Sequence, residues 1–423
     1  MNPEFIPNTK NFFSFRRNDM VAVFNKVTLE KFYLPLSEFD GKLLFWHDDS
    51  PDLSELVAPE ATLKVIQAVV TTTCNCRCQY CQLYFNPQKA KYLAMKREVA
   101  DRIISTYRNR TKNGLLIITG GEPLLNWDIV HYLIERIEGT KVIFTNATIV
   151  DKEIANQLSR HRGNVLVSFD GTKEIHDVMR KYQNGRGSFA DTIKGYYALK
   201  DSDCKVGIST VVNSHNINYL EQVVGYFLDK LHPESIGLNL PHYTQYFDNS
   251  IDACLYAEKL VEIYHIAKQS GIYIDQIGRR LKPLVTEEFR FRDCSACGEK
   301  LVIYPDGRIS NCINLIGFSG ENDFDIWKDR IPLNLNACSK CFAIGICGGG
   351  CVFDGIMFYG KGKVDEQNCL ITKRLLEEFI WDIYLTCKTR KPSKTLLKKK
   401  YAKLINRNGL RMSVGHDTQL QRV

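Results

Sequence analysis

No run of about 18 apolar residues interrupts this chain, so nothing in it reads as a membrane-spanning helix. The opening segment MNPEFIPNTKNFFSFRRND lacks the apolar core and small-residue cleavage site of a secretory signal, and the expected location is the cytoplasm. There is no fixed-period repeat and no low-complexity tract, which argues against solenoid and compositionally biased classes. Net positive charge is confined to one place. The net charge is +8, yet residues 388–423 hold 11 of the 56 Lys and Arg and only one acid, Asp417. The basic character therefore belongs to a C-terminal extension. That extension has no aromatic residue to interleave with its charges beyond Tyr401, which argues against nucleic acid as a partner. It reads as a solvated, partly helical tail, with an acidic leader segment as the other ligand it could hold.

What is abundant is core and cysteine. With 423 residues, 44% of them apolar, the chain can bury more than one domain. Fifteen cysteines cannot all pair, and thiols stay reduced in the cytosol. Clustered cysteines in that compartment point to metal. Six apolar runs read as strands buried on both faces: 63–74, 115–123, 141–148, 164–171, 205–213 and 235–241. Helical patterns lie between them at 96–109, 127–138, 152–161, 189–201 and 219–231, the alternation expected of parallel βα units. In such folds the chemistry collects in loops after the strand ends. The run TTTCNCRCQYC follows the first strand, GGEP the second, TNAT the third and SFDG the fourth. Each could be a turn alone, but together they converge on one rim.

Cys74, Cys78 and Cys81 are spaced C-x3-C-x2-C. Three thiolates fit one corner of a cubane iron–sulfur cluster and leave one iron open. A zinc site completed by a distant ligand is the alternative. Cys76 sits between two of these residues and is expected to point away from them. This spacing, with Tyr80 before the third cysteine, resembles the signature of the radical S-adenosylmethionine (radical SAM) enzymes. TGGEP (119–123) is similar to the family's second-strand motif, SFDG (168–171) to its ribose-contacting segment, and HDVMRKYQNGRGSF (176–189) has the look of the same family.

The resemblance implies a partial (β/α)6 TIM-like barrel within an α/β chain. It implies S-adenosylmethionine held by Gly120, Gly121, Glu122, Pro123, Tyr80, Asn146, Ser168 and Arg180, with Glu122 accepting from the cofactor's ammonium. Arg180 would pair with the cofactor carboxylate, or else be an ordinary helix-surface charge. The chemistry implied is one-electron cleavage of the sulfonium to a 5′-deoxyadenosyl radical that takes a hydrogen atom from a substrate.

A second cysteine field begins after residue 290. Cys297, Gly307 and Cys312 precede C-x2-C-x5-C-x3-C, formed by Cys338, Cys341, Cys347 and Cys351, and Cys369 follows. These spacings resemble the SPASM extension of radical SAM enzymes. The resemblance implies two auxiliary clusters, hence three [4Fe-4S] clusters in all. One would take Cys294, Cys297, Cys312 and Cys351; the other would take Cys338, Cys341, Cys347 and Cys369. A zinc ribbon is the other reading of this field. IYPDGRISNC (303–312) reads as a hairpin turning at Gly307.

The expected division is a β-rich extension at 1–62, the barrel at 63–290, a small Cys-rich SPASM domain with a β-hairpin at 291–387, and the basic extension at 388–423. Residues 19–36 should hold one or two strands and FDGK (39–42) a turn. Residues 1–62 could contact a leader peptide or pack on the barrel as a hairpin. The implied substrate is a ribosomally made precursor peptide with a leader, joined by a thioether or a carbon–carbon crosslink. The implied electron donor is a small protein such as flavodoxin or ferredoxin. Two other readings are an anaerobic sulfatase-maturing enzyme that oxidises Cys or Ser to formylglycine, and a non-catalytic zinc scaffold.

Overall fold

The β-branched and aliphatic runs of the first 240 residues become strands, and what they pair with decides the architecture. The computed structural model describes all residues except 1–3, 6–9, 40–49, 82–91, 112–113, 244–250, 316–326, 361 and 407–423. Strands β1 (Glu4–Phe5), β2 (Phe12–Arg17), β3 (Met20–Asn25) and β4 (Lys31–Pro35) form an antiparallel sheet in that order. The FDGK turn lies largely outside the described residues.

Strands β5 (Val65–Val69), β6 (Leu115–Thr119), β7 (Thr140–Thr145), β8 (Gly163–Ser168), β9 (Val206–Val211) and β10 (Ser235–Asn239) pair in parallel, each with the next. Between them run α1 (Arg97–Arg110), α2 (Trp127–Arg136), α3 (Lys152–Arg160), α4 (Lys173–Met179), α5 (Phe189–Asp201) and α6 (Leu220–Tyr226). The helices cover the sheet by helical periodicity. In α1 the buried residues are Ala100, Ile103, Ile104 and Tyr107, one stripe at i, i+3, i+4 and i+7. Asp151 caps α3 by accepting from Ile154 N at 2.8 Å.

The sheet continues past the six strands at both edges. Beyond β10, and after α7 (Ala253–Ser270), comes β11 (Tyr273–Ile274), followed by α8 (Asp275–Thr286). On the far side β12 (Lys300–Ile303) pairs in parallel with β5, and β13 (Ile309–Ser310) closes a hairpin with β12. Gly307 takes φ +82° at that hairpin's turn, a conformation that favours glycine. The last helices are α9 (Ile344–Cys347), α10 (Val352–Tyr359), α11 (Glu366–Cys387) and α12 (Lys394–Ile405). The whole is a largely parallel partial barrel followed by a Cys-rich region.

Two expectations about the ends change. The N-terminal segment is a four-stranded sheet rather than a hairpin on the barrel. It lies against the C-terminal region. Phe13 and Phe15 stack on Phe342 with ring centroids 5.8 and 5.5 Å away. Tyr33 OH donates to Ile380 O of α11 at 2.6 Å. The buried Lys31 ammonium donates to Leu284 O of α8 at 2.7 Å and pairs with Glu287 at 3.0 Å. The basic extension is not a solvated tail as far as residue 405. Helix α12 buries Leu397, Tyr401, Leu404 and Ile405, and Tyr401 OH donates to Asp382 at 2.7 Å. Its lysines occupy the outer face, so a charge count alone hid an apolar stripe. Among the described residues no helix is long and apolar enough to cross a membrane.

Candidate functional site

The cysteine loop is set by backbone contact between β5 and β6. Gly121 N donates to Thr71 O and Glu122 N to Thr73 O, both at 2.8 Å. A Cβ on Gly120 would stand 2.3 Å from Thr71 O, and one on Gly121 would stand 2.2 Å from Thr73 O. The glycine pair is thus required by the strand that delivers the cysteines. Glu122 turns into the protein. Its Oε1 accepts from Thr145 Oγ1 at 2.7 Å and Leu124 N at 3.1 Å, and its Oε2 accepts from Asn146 N at 2.7 Å. Burial pushes its pKa up to about 7 against those three donors. The carboxylate therefore ties the end of β6 to the end of β7, and Pro123 starts the turn that follows.

Asn146, at the end of β7, holds the cysteine loop. Its Nδ2 donates to Asn75 Oδ1 at 2.8 Å and approaches Cys76 Sγ at 3.5 Å. Cys76 does not point away from its neighbours, contrary to expectation. It is buried beside Cys74, lines the same cavity, and pairs through its backbone with Tyr182. That pairing, with Arg77 N donating to Lys181 O at 2.6 Å, fixes the loop against the chain after α4 and aims Cys76 inward.

Arg180 is no surface charge. It ends α4 and is buried, with Nε donating to Asp170 Oδ2 at 2.9 Å. Tyr80 OH donates to the same oxygen, and Asp170 Oδ1 accepts from Val211 N at 3.0 Å. The guanidinium lies 5.3 Å from the Tyr80 ring centroid, and its Nη1 lies 4.0 Å from Cys78 Sγ. Burial pushes the Cys78 thiol up to about 12 even with Arg180 pulling the other way. Asp170, from SFDG, is the joint of this arrangement. Sequence reading chose Ser168 from that segment; the only signal for Asp170 was a carboxylate at a strand end. Ser168 lines the cavity.

The second field divides into two groups. Cys297 and Cys312 are buried in an apolar cluster with Ala296, Trp327, Val352 and Phe353, and Cys294 and Cys351 pack against it. Burial pushes Cys312 up to about 11, and neighbouring Cys294 adds to that. The other group is Cys338, Cys341, Cys347 and Cys369. The Cys369 thiol is raised by burial, then by the charges of Cys347, Cys341 and Cys338. Cys347 and Cys351 are four residues apart yet belong to different groups. The glycines between them explain this: Gly348, Gly349 and Gly350 take φ of +70°, +99° and +72°. Three successive left-handed residues reverse the chain, which only glycine does at no steric cost.

Sequence reading missed two further features. His242 Nδ1 lies 2.7 Å from Asp354 Oδ2, and the pair sits within 4.8 Å of Cys351. Asn368 Nδ2 donates to Cys347 Sγ at 3.0 Å. Neither stands out by spacing, because the partners are more than 20 positions apart in sequence.

One cavity of about 650 Å³ is lined by Cys74, Cys78 and Cys81, by Gly120, Gly121, Glu122, Asn146, Ser168 and Arg180, and also by Cys294, Cys351, His242 and Asp354. The donor chemistry suits soft metal. Thiolate sulfur gathered in threes and fours suits iron–sulfur clusters or zinc. Three thiols in one loop leave a coordination position open, whereas the two groups of four can close theirs.

Residues 68–227 match the Radical SAM superfamily. Among curated proteins, the chain is 25% identical over 356 residues to the radical SAM cyclopropyl synthase TigE of Paramaledivibacter caminithermalis, a stretch covering 74% of each chain. It is 23% identical over 373 residues to a cysteine-type anaerobic sulfatase-maturating enzyme of Clostridium novyi, covering 78% of this chain and 98% of that protein. The fold is similar to that of Streptococcus suis SuiB bound to its precursor peptide SuiA, with a TM-score of 0.54 at 14% identity, covering 85% of this chain and 99% of that one. Residues 68–227 therefore carry a Radical SAM domain and the chain is an enzyme; S-adenosylmethionine and a [4Fe-4S] cluster are the cofactors which that domain implies.

Proposed function

We propose that this radical SAM enzyme modifies a ribosomally made precursor peptide in the cavity shared by the two cysteine fields. The observation that carries the reading is that single cavity, lined by the three-thiol loop and by two thiols of the second field. Cys74, Cys78 and Cys81 would hold the first cluster with one iron open. Cys294, Cys297, Cys312 and Cys351 would hold a second cluster, and Cys338, Cys341, Cys347 and Cys369 a third. With S-adenosylmethionine bound at the first of these, the site supplies hydrogen-atom abstraction from an unactivated carbon.

The chain's own residues give that chemistry its place. Asn146 and the backbone joints at Thr71 and Thr73 hold the cysteine loop. The Asp170–Arg180 pair keeps a cation beside Cys78, which favours the thiolate. Ser168 and Arg180 both line the cavity, where they would meet the cofactor's ribose and carboxylate. Apolar residues around Cys297 and Cys312 keep water from the second field.

The relative named a cyclopropyl synthase favours carbon–carbon bond formation over a thioether. The solved structure of SuiB with a precursor peptide supports a peptide as substrate. A small flavodoxin or ferredoxin would deliver the electron. A second reading, oxidation of a Cys or Ser in a sulfatase to formylglycine, is favoured by the relative matched over 98% of its length.

The test is anaerobic. The protein is reconstituted with iron and sulfide, its iron is counted, and 5′-deoxyadenosine is measured with dithionite and S-adenosylmethionine. About twelve irons per chain and cofactor cleavage are expected. Incubation with a peptide encoded beside the gene, read by mass spectrometry, should give loss of two hydrogens. Conversion of a sulfatase-derived cysteine to an aldehyde instead would select the second reading. Zinc without cleavage would overturn both.

A further inference from the structure

One group of thiols has a close contact from a side-chain amide. Asn368 Nδ2 donates to Cys347 Sγ at 3.0 Å. Around the first loop the amide Asn146 Nδ2 stands farther off, at 3.5 Å from Cys76 Sγ and 3.9 Å from Cys74 Sγ.

The direction of the Asn368 amide is set by what lies on its other side. Asn368 Oδ1 accepts from a guanidinium nitrogen of Arg280. Arginine has donors only, so the amide oxygen must face it, and the NH2 is left for the sulfur. Arg280 is itself fixed. Its Nε donates to Thr372 Oγ1 at 2.9 Å and its Nη1 to Gln276 O at 2.7 Å. Gly350 completes the fit, because a Cβ there would lie 2.9 Å from Asn368 Nδ2. The last glycine of the Cys347–Cys351 turn thus leaves room for the amide as well as reversing the chain.

Charge points the same way. Arg280 is only 3% exposed, and among the described residues its hydrogen-bond partners are a hydroxyl, a carbonyl and an amide. The nearby carboxylate Asp293 is already paired with Arg279 and Arg290. A buried cation with neutral partners is costly unless an anionic group stands close by. Four thiolates carrying an iron–sulfur cluster are such a group.

We infer that Asn368, oriented by Arg280, is a positioning residue that raises the reduction potential of the cluster held by Cys338, Cys341, Cys347 and Cys369. A hydrogen bond to a ligating sulfur withdraws electron density from it and favours the reduced state. The inference rests on the reading that these four cysteines hold a cluster.

The test uses the full reconstituted chain, with a redox titration followed by electron paramagnetic resonance. Asn368→Leu removes the donor at similar volume. It should keep its iron and move one cluster to lower potential, with the other two unchanged. Arg280→Lys keeps the charge but frees the amide, and should give a smaller shift of the same sign. Cofactor cleavage without peptide should be unaltered in both. Unchanged potentials at full iron content would overturn the inference. So would loss of about four irons from Asn368→Leu with its circular dichroism intact, because the residue would then be a structural support. Failure of the underlying reading shows separately, as a shortfall of iron in the unsubstituted protein.

Discussion

The two cysteine fields are built in opposite ways. The first takes its three thiols from eight consecutive residues, on one loop at the end of β5. Its support comes from polar side chains on neighbouring strand ends: Asn146 after β7, Asp170 after β8, and Arg180 at the end of α4. The second draws its thiols from segments spread between residues 294 and 369, packed among apolar side chains and turned by three glycines. A loop that supplies three donors at the rim of a barrel leaves a position facing the cavity. A site that gathers four donors from separate segments is closed, and it holds those segments together. On the proposed reading the first does chemistry, and the second both handles electrons and staples the C-terminal region.

The largest effect that would break this comparison is at Cys78. Cys78→Ala should abolish 5′-deoxyadenosine formation altogether, measured by chromatography after reduction. Normal output would remove the first loop from the chemistry. Cys369→Ala is the matching change in the closed site. It should leave part of the peptide-independent cleavage and lose the modified peptide. Full product from Cys369→Ala would mean that the third cluster is dispensable and that the two fields do not divide the work.

Arg180 sharpens the comparison on stability. Arg180→Leu strands Asp170, whose side chain is 1% exposed, and should cost about 3 kcal/mol in urea unfolding. Replacing both partners, Arg180→Leu with Asp170→Asn, should recover part of that loss.

The smallest effect is a pH dependence confined to the first site. His176 is buried behind Asp170, with Nε2 3.0 Å from Ser188 Oγ, and burial followed by the nearby Arg180 charge lowers its pKa to about 4. The folded state therefore keeps it neutral while the unfolded chain protonates near 6.5. Its contribution is complete above pH 6.5 and is lost as pH falls toward 4. Between pH 7 and 5 that amounts to about 2 kcal/mol. His176→Gln should flatten the acid limb of stability by that amount, and an unchanged slope would show that His176 is already solvated.

Much of the fold was legible because its signals are local. The apolar runs at 115–119, 141–145 and 206–211 lie within the strands expected of them, since strand and helix periodicity are written in adjacent residues. The cysteine spacings were legible for the same reason. Glu122 shows where that stops. The motif it belongs to was readable, but its carboxylate faces Thr145 and the backbone of Leu124 and Asn146, and only the pairing of β6 with β7 brings those together. The basic extension was misjudged because charge dominates its composition, whereas Leu397, Tyr401, Leu404 and Ile405 find their surface on other helices.

By itself, the sequence determined the parallel βα alternation, the three-cysteine loop and the number of thiols in the second field. These depend on residue type and spacing along one strand of chain. Tertiary structure alone decided that β12 extends the barrel sheet beside β5 and that the N-terminal sheet lies on α8 and α11. It also brought Arg280, Asn368 and Cys347 into one line. Such contacts join residues tens to hundreds of positions apart, and no local pattern records them, because burial and hydrogen-bond geometry choose the partner only once the chain has closed on itself.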